Sequence, residues 1–164
     1  MIRLKNIVVA TDFGEVSDAA LAYGRELARA FGGTLHVFHA ADNVMTRFPM
    51  DAPFAGMAEL QAEVENAAKT RIGALLNDED REMLGAKAVV WTSLSPATAV
   101  VDYAKSVKAD IVLVGTHGRG TVGHFFLGSV AERVVRMAPC PVLTVHHPER
   151  EFIAPDALVA VAKA

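Results

Sequence analysis

The sequence predicts a three-layer, doubly wound α/β domain: a five-stranded parallel sheet with helices on both faces. Three features carry that prediction. Short β-branched apolar runs, beginning with Ile7–Ala10 (IVVA), have the character of strands buried on both faces. Stretches of helical spacing separate them, so strand and helix alternate as they do in βαβ units. Between Asp110 and Val135, a loop with five glycines joins a strand-like run to a helix-like run. Such turns meet ligands at the carboxyl edge of an open sheet.

The elements follow in order. Ser17–Phe31 reads as a helix, because Leu21, Leu27, Ala28 and Phe31 recur at helical spacing and Gly32-Gly33 stops it. Thr34–Ala40 (TLHVFHA) is the second strand. Residues 42–57 hold two prolines and no period, so a long surface loop is expected there, a candidate lid or partner-facing segment. Ala58–Leu76 is helical, with Leu60, Val64, Ala67, Ala68, Ile72 and Leu75 on one side. Asp78–Gly85 reads as a charged connection and Lys87–Trp91 (KAVVW) as the third strand. Ser95 places a capping hydroxyl before Pro96 at the first helical position, and that helix runs to about Lys108. Ile111–Val114 is the fourth strand, Ser129–Met137 the fourth helix and Pro141–Val145 (PVLTV) the fifth strand. In a sheet of this kind the ligand crevice lies where the strand order reverses. The loops expected to matter are therefore Thr11–Val16, the one from Ala40, and Gly115–Gly128.

A chain of 164 residues, 52% hydrophobic and 21% charged, has the size and composition of one globular domain. A net charge of −3 and the lack of a Lys/Arg cluster argue against a nucleic-acid partner. Cys140 is the single cysteine, so no intramolecular disulfide can form and a reducing compartment fits. The apolar run in MIRLKNIVVATD stops at Asp12, too short for a signal peptide, and nowhere are there eighteen uninterrupted apolar residues. A soluble, cytoplasmic protein without a membrane span is expected.

The glycine loop nearly fits two familiar patterns. Gly118-Arg119-Gly120-Thr121-Val122-Gly123 matches G-x-G-x-x-G. A dinucleotide fingerprint, however, belongs to the first βαβ unit and opens its helix at once. Here it follows the fourth strand, and the helix waits until Ser129. The stretch Gly123–Ser129 has the outline of a P-loop but lacks its lysine, the point charge on the β- and γ-phosphates. Arg119 is the one cation nearby, so fast phosphoryl transfer is not expected. A phosphate site remains in physical terms. Glycines let main-chain N–H groups approach an anion, and Ser129-Val130-Ala131-Glu132 opens the last helix as a capping-box pattern. First-turn N–H groups and the helix dipole favour negative charge there. The competing reading is a flexible loop capped by an ordinary serine.

The spacing Gly115-x2-Gly118-x9-Gly128-Ser129, together with Ala10-Thr11-Asp12-Phe13 at the end of the first strand, resembles the ATP-binding branch of the universal stress protein family. GTHGRG and LGSVAERVVRMAPCPVLTV extend the resemblance, which covers roughly residues 3–146. It implies a universal stress protein domain over 1–147; the tail 148–164 has no counterpart in the motif, and Asp156–Ala162 is short and apolar enough for a docking helix or a frayed end. It also implies the Rossmann-like adenine nucleotide alpha hydrolase-like fold, strand order 3-2-1-4-5, and ATP with Mg²⁺ or Mn²⁺. On that resemblance Asp12 meets the ribose hydroxyls, as a carboxylate can accept from two vicinal O–H donors. The main chain around Ala40 reads the adenine edge. Gly115, Gly118, Gly128 and Ser129 hold the phosphates, with the metal bridging phosphate oxygens, and Ala10, Thr11, Arg119 and Val130 complete the nucleotide-binding residues. A homodimer through the last strand, Pro141–Val145, is implied as well. The alternative for Asp12 is a turn or helix-capping aspartate. Two departures stand out: Gly14 where many members carry serine, and Leu94 where a glycine often precedes the Ser-Pro helix start.

Six histidines, His36, His39, His117, His124, His146 and His147, give no spacing that places three ligands on one surface, so no protein-held metal is expected. His117 is expected as a partly exposed loop residue, and Phe125-Phe126-Leu127 as a tucked-in patch or part of an interface. Cys140, between two prolines and without a basic neighbour in sequence, reads as an inert thiol.

Three functions compete. The first is a nucleotide-dependent stress or signalling protein with slow or no hydrolysis. The second is a weak ATPase or nucleotidyl-transfer enzyme, against which stands the lack of a water-activating base beside the glycine loop. The third is a module for another adenine nucleotide, such as AMP or cyclic AMP.

Overall fold

The structure is a computed structural model, and it describes residues 1–47, 56–116 and 127–146. Its strands are β1 (Asn6–Ala10), β2 (Thr34–Asp42), β3 (Lys87–Ser93), β4 (Ile111–Gly115) and β5 (Val142–Val145). Its α-helices are α1 (Glu15–Phe31), α2 (Met57–Leu75), α3 (Asp78–Met83), α4 (Pro96–Ser106) and α5 (Ser129–Met137). The strands form one parallel sheet in the order β3-β2-β1-β4-β5. This is the expected doubly wound topology, with its reversal at β1 and β4.

Side chains alternate across the strands and build two cores. Ile7, Val9, Leu35, Val37 and Leu113 meet Leu21 and Ala28 of α1 and Ile72 of α2. Val8, Phe38, Val112 and Val114 meet Val100, Val101 and Ala104 of α4 and Ala131 and Val134 of α5. The first face demands a close approach. A Cβ at Gly24 of α1 would lie 2.4 Å from Val9 Cγ2 and 3.3 Å from Leu35 Cδ1. Val9 is β-branched in a fully buried strand and cannot yield cheaply. Gly24→Ala is therefore expected to cost about 1–3 kcal/mol of stability, read as a lower urea midpoint.

Several expectations need correction. Residues 42–57 are not one loop. β2 continues to Asp42, a 3₁₀ turn spans Val44–Arg47, and α2 begins at Met57; residues 48–55 lie outside the described ones. The charged connection contains α3. Asn77 Oδ1 accepts from the Asp80 N–H at 2.7 Å and Asp80 Oδ2 accepts from the Asn77 N–H at 3.2 Å, a reciprocal cap that starts the helix. Ser95 does occupy the cap of α4, but its hydroxyl bonds Thr98 Oγ1 at 2.9 Å instead of a main-chain amide. Phe31, placed on the apolar stripe of α1, is 44% exposed. The tail 148–164 lies outside the described residues. Among the described residues, no helix is long and apolar enough to cross a membrane.

Candidate functional site

The carboxyl ends of β1, β2 and β4 open into a cavity of about 750 Å³, a size usual for small-molecule sites. Its floor includes Ala10, Thr11, Asp12, Ala40 and Gly115. α2 walls one side with Val64, Ala67, Ala68 and Arg71, and Gly128, Ser129 and Val130 stand at the other. The stripe read as core on α2 thus divides. Ile72 is buried away from the cavity, Ala68 is buried yet lines it, and Val64 and Ala67 face it. Of the ten residues expected at the site, eight line this cavity; Gly118 and Arg119 lie outside the described residues.

A network of short bonds fixes the turn after β1. The Thr11 N–H donates to the Phe38 carbonyl at 2.9 Å, which extends the sheet register by one residue. Thr11 Oγ1 lies 3.1 Å from Ser17 Oγ and accepts from the Phe13 N–H at 2.9 Å. Asp12 Oδ1 accepts from the Gly14 N–H at 3.0 Å, so Asp12 is a turn aspartate and a cavity residue together. The glycine at 14 also fits this turn: a Cβ there would lie 3.1 Å from Asp12 Oδ1. Phe13 has φ 63°, the left-handed region that a bulky residue rarely adopts.

β2 outruns β1 at this edge. The last paired residues are Ala10 and Phe38, while β2 continues beside β3 to Asp42. Alternate residues of a strand turn their N–H and C=O the same way. Because the Phe38 carbonyl reaches toward β1, the main chain of Ala40 turns toward the same side, past the end of that strand. A donor and an acceptor there face the cavity.

At the opposite side, Gly128 occupies the cap of α5 with φ −57° and ψ 147°, and makes no side-chain cap bond. Ser129 is the first helical residue, which corrects the capping-box reading: glycine has no side chain to turn back on the first-turn amides. The Gly128 N–H is taken by the Thr116 carbonyl at 2.6 Å, and the Thr116 N–H by Val145 at 2.8 Å. Gly115 has a packing reason as well. A Cβ there would stand 3.0 Å from Val16 Cγ1 and 3.3 Å from the Val16 carbonyl carbon.

Three cavity residues carry a geometry that the sequence reading missed. The Phe13 ring lies 4.3 Å from the His39 ring, centroid to centroid, and the Arg71 guanidinium carbon is 4.1 Å from the Phe13 centroid. His39 Nδ1 is 2.8 Å from the Thr11 carbonyl, which can only accept, so the ring nitrogen donates. One signal was available: Arg71 follows Val64, Ala67 and Ala68 at helical spacing.

The histidines separate as the strand period requires. His36 lies on the α4 face, 2% exposed, with Nδ1 2.8 Å from Tyr103 Oη and, among the described residues, no partner at Nε2. Burial first, and Lys87 second, pull it down to about 4. His146 Nδ1 is 3.1 Å from Thr116 Oγ1. Among the described residues, no three His, Cys, Asp or Glu side chains gather around a metal position. Cys140 is part-buried, and burial first, then Asp110, push its thiol up, which keeps thiolate scarce at neutral pH.

The universal stress protein family model matches residues 3–146. A universal stress protein of Thermus aquaticus is 36% identical over 145 residues, covering 86% of this chain and 98% of its own. Another, from Methanocaldococcus jannaschii, is 30% identical over 151 residues, covering 90% and 85%. Among solved structures, universal stress protein UspA from Lactobacillus plantarum superposes with a TM-score of 0.71 at 22% identity, covering 88% of this chain and 99% of its own. A universal stress protein in complex with cAMP superposes at 0.56 with 26% identity, covering 88% and 98%. With its family match, its curated relatives and its 3-2-1-4-5 sheet in agreement, the chain belongs to the universal stress protein family.

Proposed function

We propose that the cavity is an adenine-nucleotide site whose occupant is ATP, and that residues 1–147 form a nucleotide-dependent stress-response domain with slow or no hydrolysis. One observation carries this reading. A single cavity joins an outward-turned main-chain segment at Ala40, a carboxylate at Asp12 and the glycine-capped first turn of α5 at Gly128–Val130. Those three features match the base, the ribose and the phosphates in turn. Ala40 offers a donor and an acceptor to the adenine edge, and Asp12 accepts from ribose hydroxyls. The amides at the start of α5 take phosphate oxygens, with Gly115, Gly118, Arg119 and Thr11 alongside. A helix end contributes on the order of 0.3–1 kcal/mol per anionic group, so several amides act together. Mg²⁺ or Mn²⁺ comes with the phosphates. The cAMP-bound relative supports an adenine ligand and motivates a second reading, a site for a cyclic or monophosphate nucleotide.

The outer edge of β5 closes the sheet without a further strand among the described residues, and Val135 and Met137 on α5 are 46% and 44% exposed. Pairing of Pro141–Val145 with a second copy would cover that edge and give the homodimer.

The test is a thermal-shift series with ATP, ADP, AMP and cAMP, with and without Mg²⁺. A ligand at about one hundred times its Kd stabilises by about 2.7 kcal/mol, a shift of several degrees. The largest shift is expected with ATP and Mg²⁺, and its loss with Gly118→Ala combined with Gly128→Ala. A larger shift with AMP or cAMP would favour the second reading, and no shift with any of them would overturn both. Turnover above about 1 s⁻¹ would instead make the protein a working enzyme.

A further inference from the structure

The turn that carries Asp12 is held under strain, and its restraint comes from three other elements. Phe13 sits at φ 63° without being glycine, a conformation that persists where the surroundings over-determine it. Its N–H is fixed by Thr11 Oγ1, itself bonded to Ser17 of α1. The Thr11 carbonyl is fixed by His39 of β2. The Phe13 ring meets His39 and, from α2, the Arg71 guanidinium at 4.1 Å. Asp12 lies between the two restrained residues, so the direction of its carboxylate follows from them.

Arg71 is the informative member. It is exposed, lines the cavity, and takes no carboxylate partner among the described residues. Among the described residues its guanidinium stands over the face of Phe13, an arrangement in which the cation is attracted by the ring's quadrupole. Asp12 and Asp42 line the same cavity. The geometry points to Arg71 as a positioning residue: through Phe13 it holds the left-handed turn that presents Asp12 to the ribose, and so sets the cavity's preference for ribose over deoxyribose nucleotides. This rests on the proposed reading of Asp12 as the ribose acceptor. Arg71 does not touch the ligand in this account. It acts on the angle of a carboxylate, and hydrogen bonds to charged groups lose strength steeply with misalignment.

The experiment measures the Kd of ATP and of 2′-deoxyATP by titration calorimetry with Mg²⁺ on the full chain. In the wild type, ATP is expected to bind roughly ten-fold more tightly, the size of one charged hydrogen bond. Arg71→Gln is expected to shrink that ratio to about two-fold, and Arg71→Lys, which keeps a cation over the ring, to restore most of it. In a Phe13→Ala background, Arg71→Gln should change the ratio no further, because the contact through which it acts is gone. A wild-type ratio near one would remove Asp12 from the ribose and with it the present inference. An unchanged ratio in Arg71→Gln, whether or not both affinities fall together, overturns the inference while leaving the nucleotide reading intact. A further drop in the Phe13→Ala background also overturns it, since Arg71 would then act by direct contact.

Discussion

Asp80→Ala is expected to lower the unfolding free energy by about 3 kcal/mol, toward the lower end of what breaking a buried ion pair costs. Asp80 is fully buried, and Arg25 grips it with two nitrogens: Nε at 2.9 Å from Oδ1 and Nη2 at 2.8 Å from Oδ2. The same Nη2 donates to the Leu75 carbonyl at 2.6 Å, so one arginine of α1 ties down both the end of α2 and the start of α3. Arg25 keeps a side-chain exposure of 24%, and water can partly solvate it when the partner is lost, hence the lower figure. Asp80→Ala also deletes the reciprocal cap with Asn77. The double variant Arg25→Met with Asp80→Leu is expected to lose less than the sum of the two single changes, since no charge is left buried alone. Urea denaturation of the four proteins measures this. Because α2 carries Val64, Ala67, Ala68 and Arg71, Asp80→Ala should weaken nucleotide binding as well, through the position of that wall.

The second large effect is a dependence of stability on mild acid that originates at His36. Desolvation, and to a smaller extent Lys87, lower its folded-state value to about 4 from 6.5. The unfolded chain therefore takes up the proton first as pH falls. Stability from the neutral ring is complete above about pH 6.5 and declines as pH falls toward 4, by up to about 3 kcal/mol. Tyr103 bonds one nitrogen of the ring, and among the described residues the other has no partner to meet an added proton's charge. His36→Asn keeps a polar atom near Tyr103 Oη and removes the titration. Its unfolding midpoint is expected to stay nearly level between pH 6.5 and 4, where the wild type falls. Asp80 acts in a different window. Burial pushes it up, but the Arg25 and Asn77 bonds outweigh that and its value is lowered, so its contribution is lost only below its ordinary 3.8. Parallel pH slopes for wild type and His36→Asn would show that other groups govern the acid limb.

The legible parts of this molecule were those written in local pattern. β1 and β4 are apolar, mostly β-branched runs, so Ile7–Ala10 and Ile111–Val114 were found within a residue of their observed ends. Asp12 and the glycines at 115 and 128 were singled out through the family resemblance, and all three line the cavity. α3 was not legible. Its run of charges reads as solvated connection, and only the approach of Arg25, 55 residues away, turns Asp80 into a buried anchor. The same reason hid the contact of Arg71 with Phe13, which joins the first turn to the middle of α2. At Ser129 the local pattern misled: serine and Glu132 spell a capping box, but the chain enters α5 one residue earlier, at Gly128. Gly115 shows the converse, a residue singled out for a ligand that is also required small by Val16.

The central claim is that main-chain amides at the start of α5 grip a polyphosphate. The most direct measurement is the ¹H–¹⁵N amide spectrum of the protein titrated with ATP and Mg²⁺, with adenosine as the control. The account predicts that the Ser129 and Val130 amides move with ATP and stay in place with adenosine, while Ala40 moves with both. ATP binding that leaves those two amides undisturbed would contradict it.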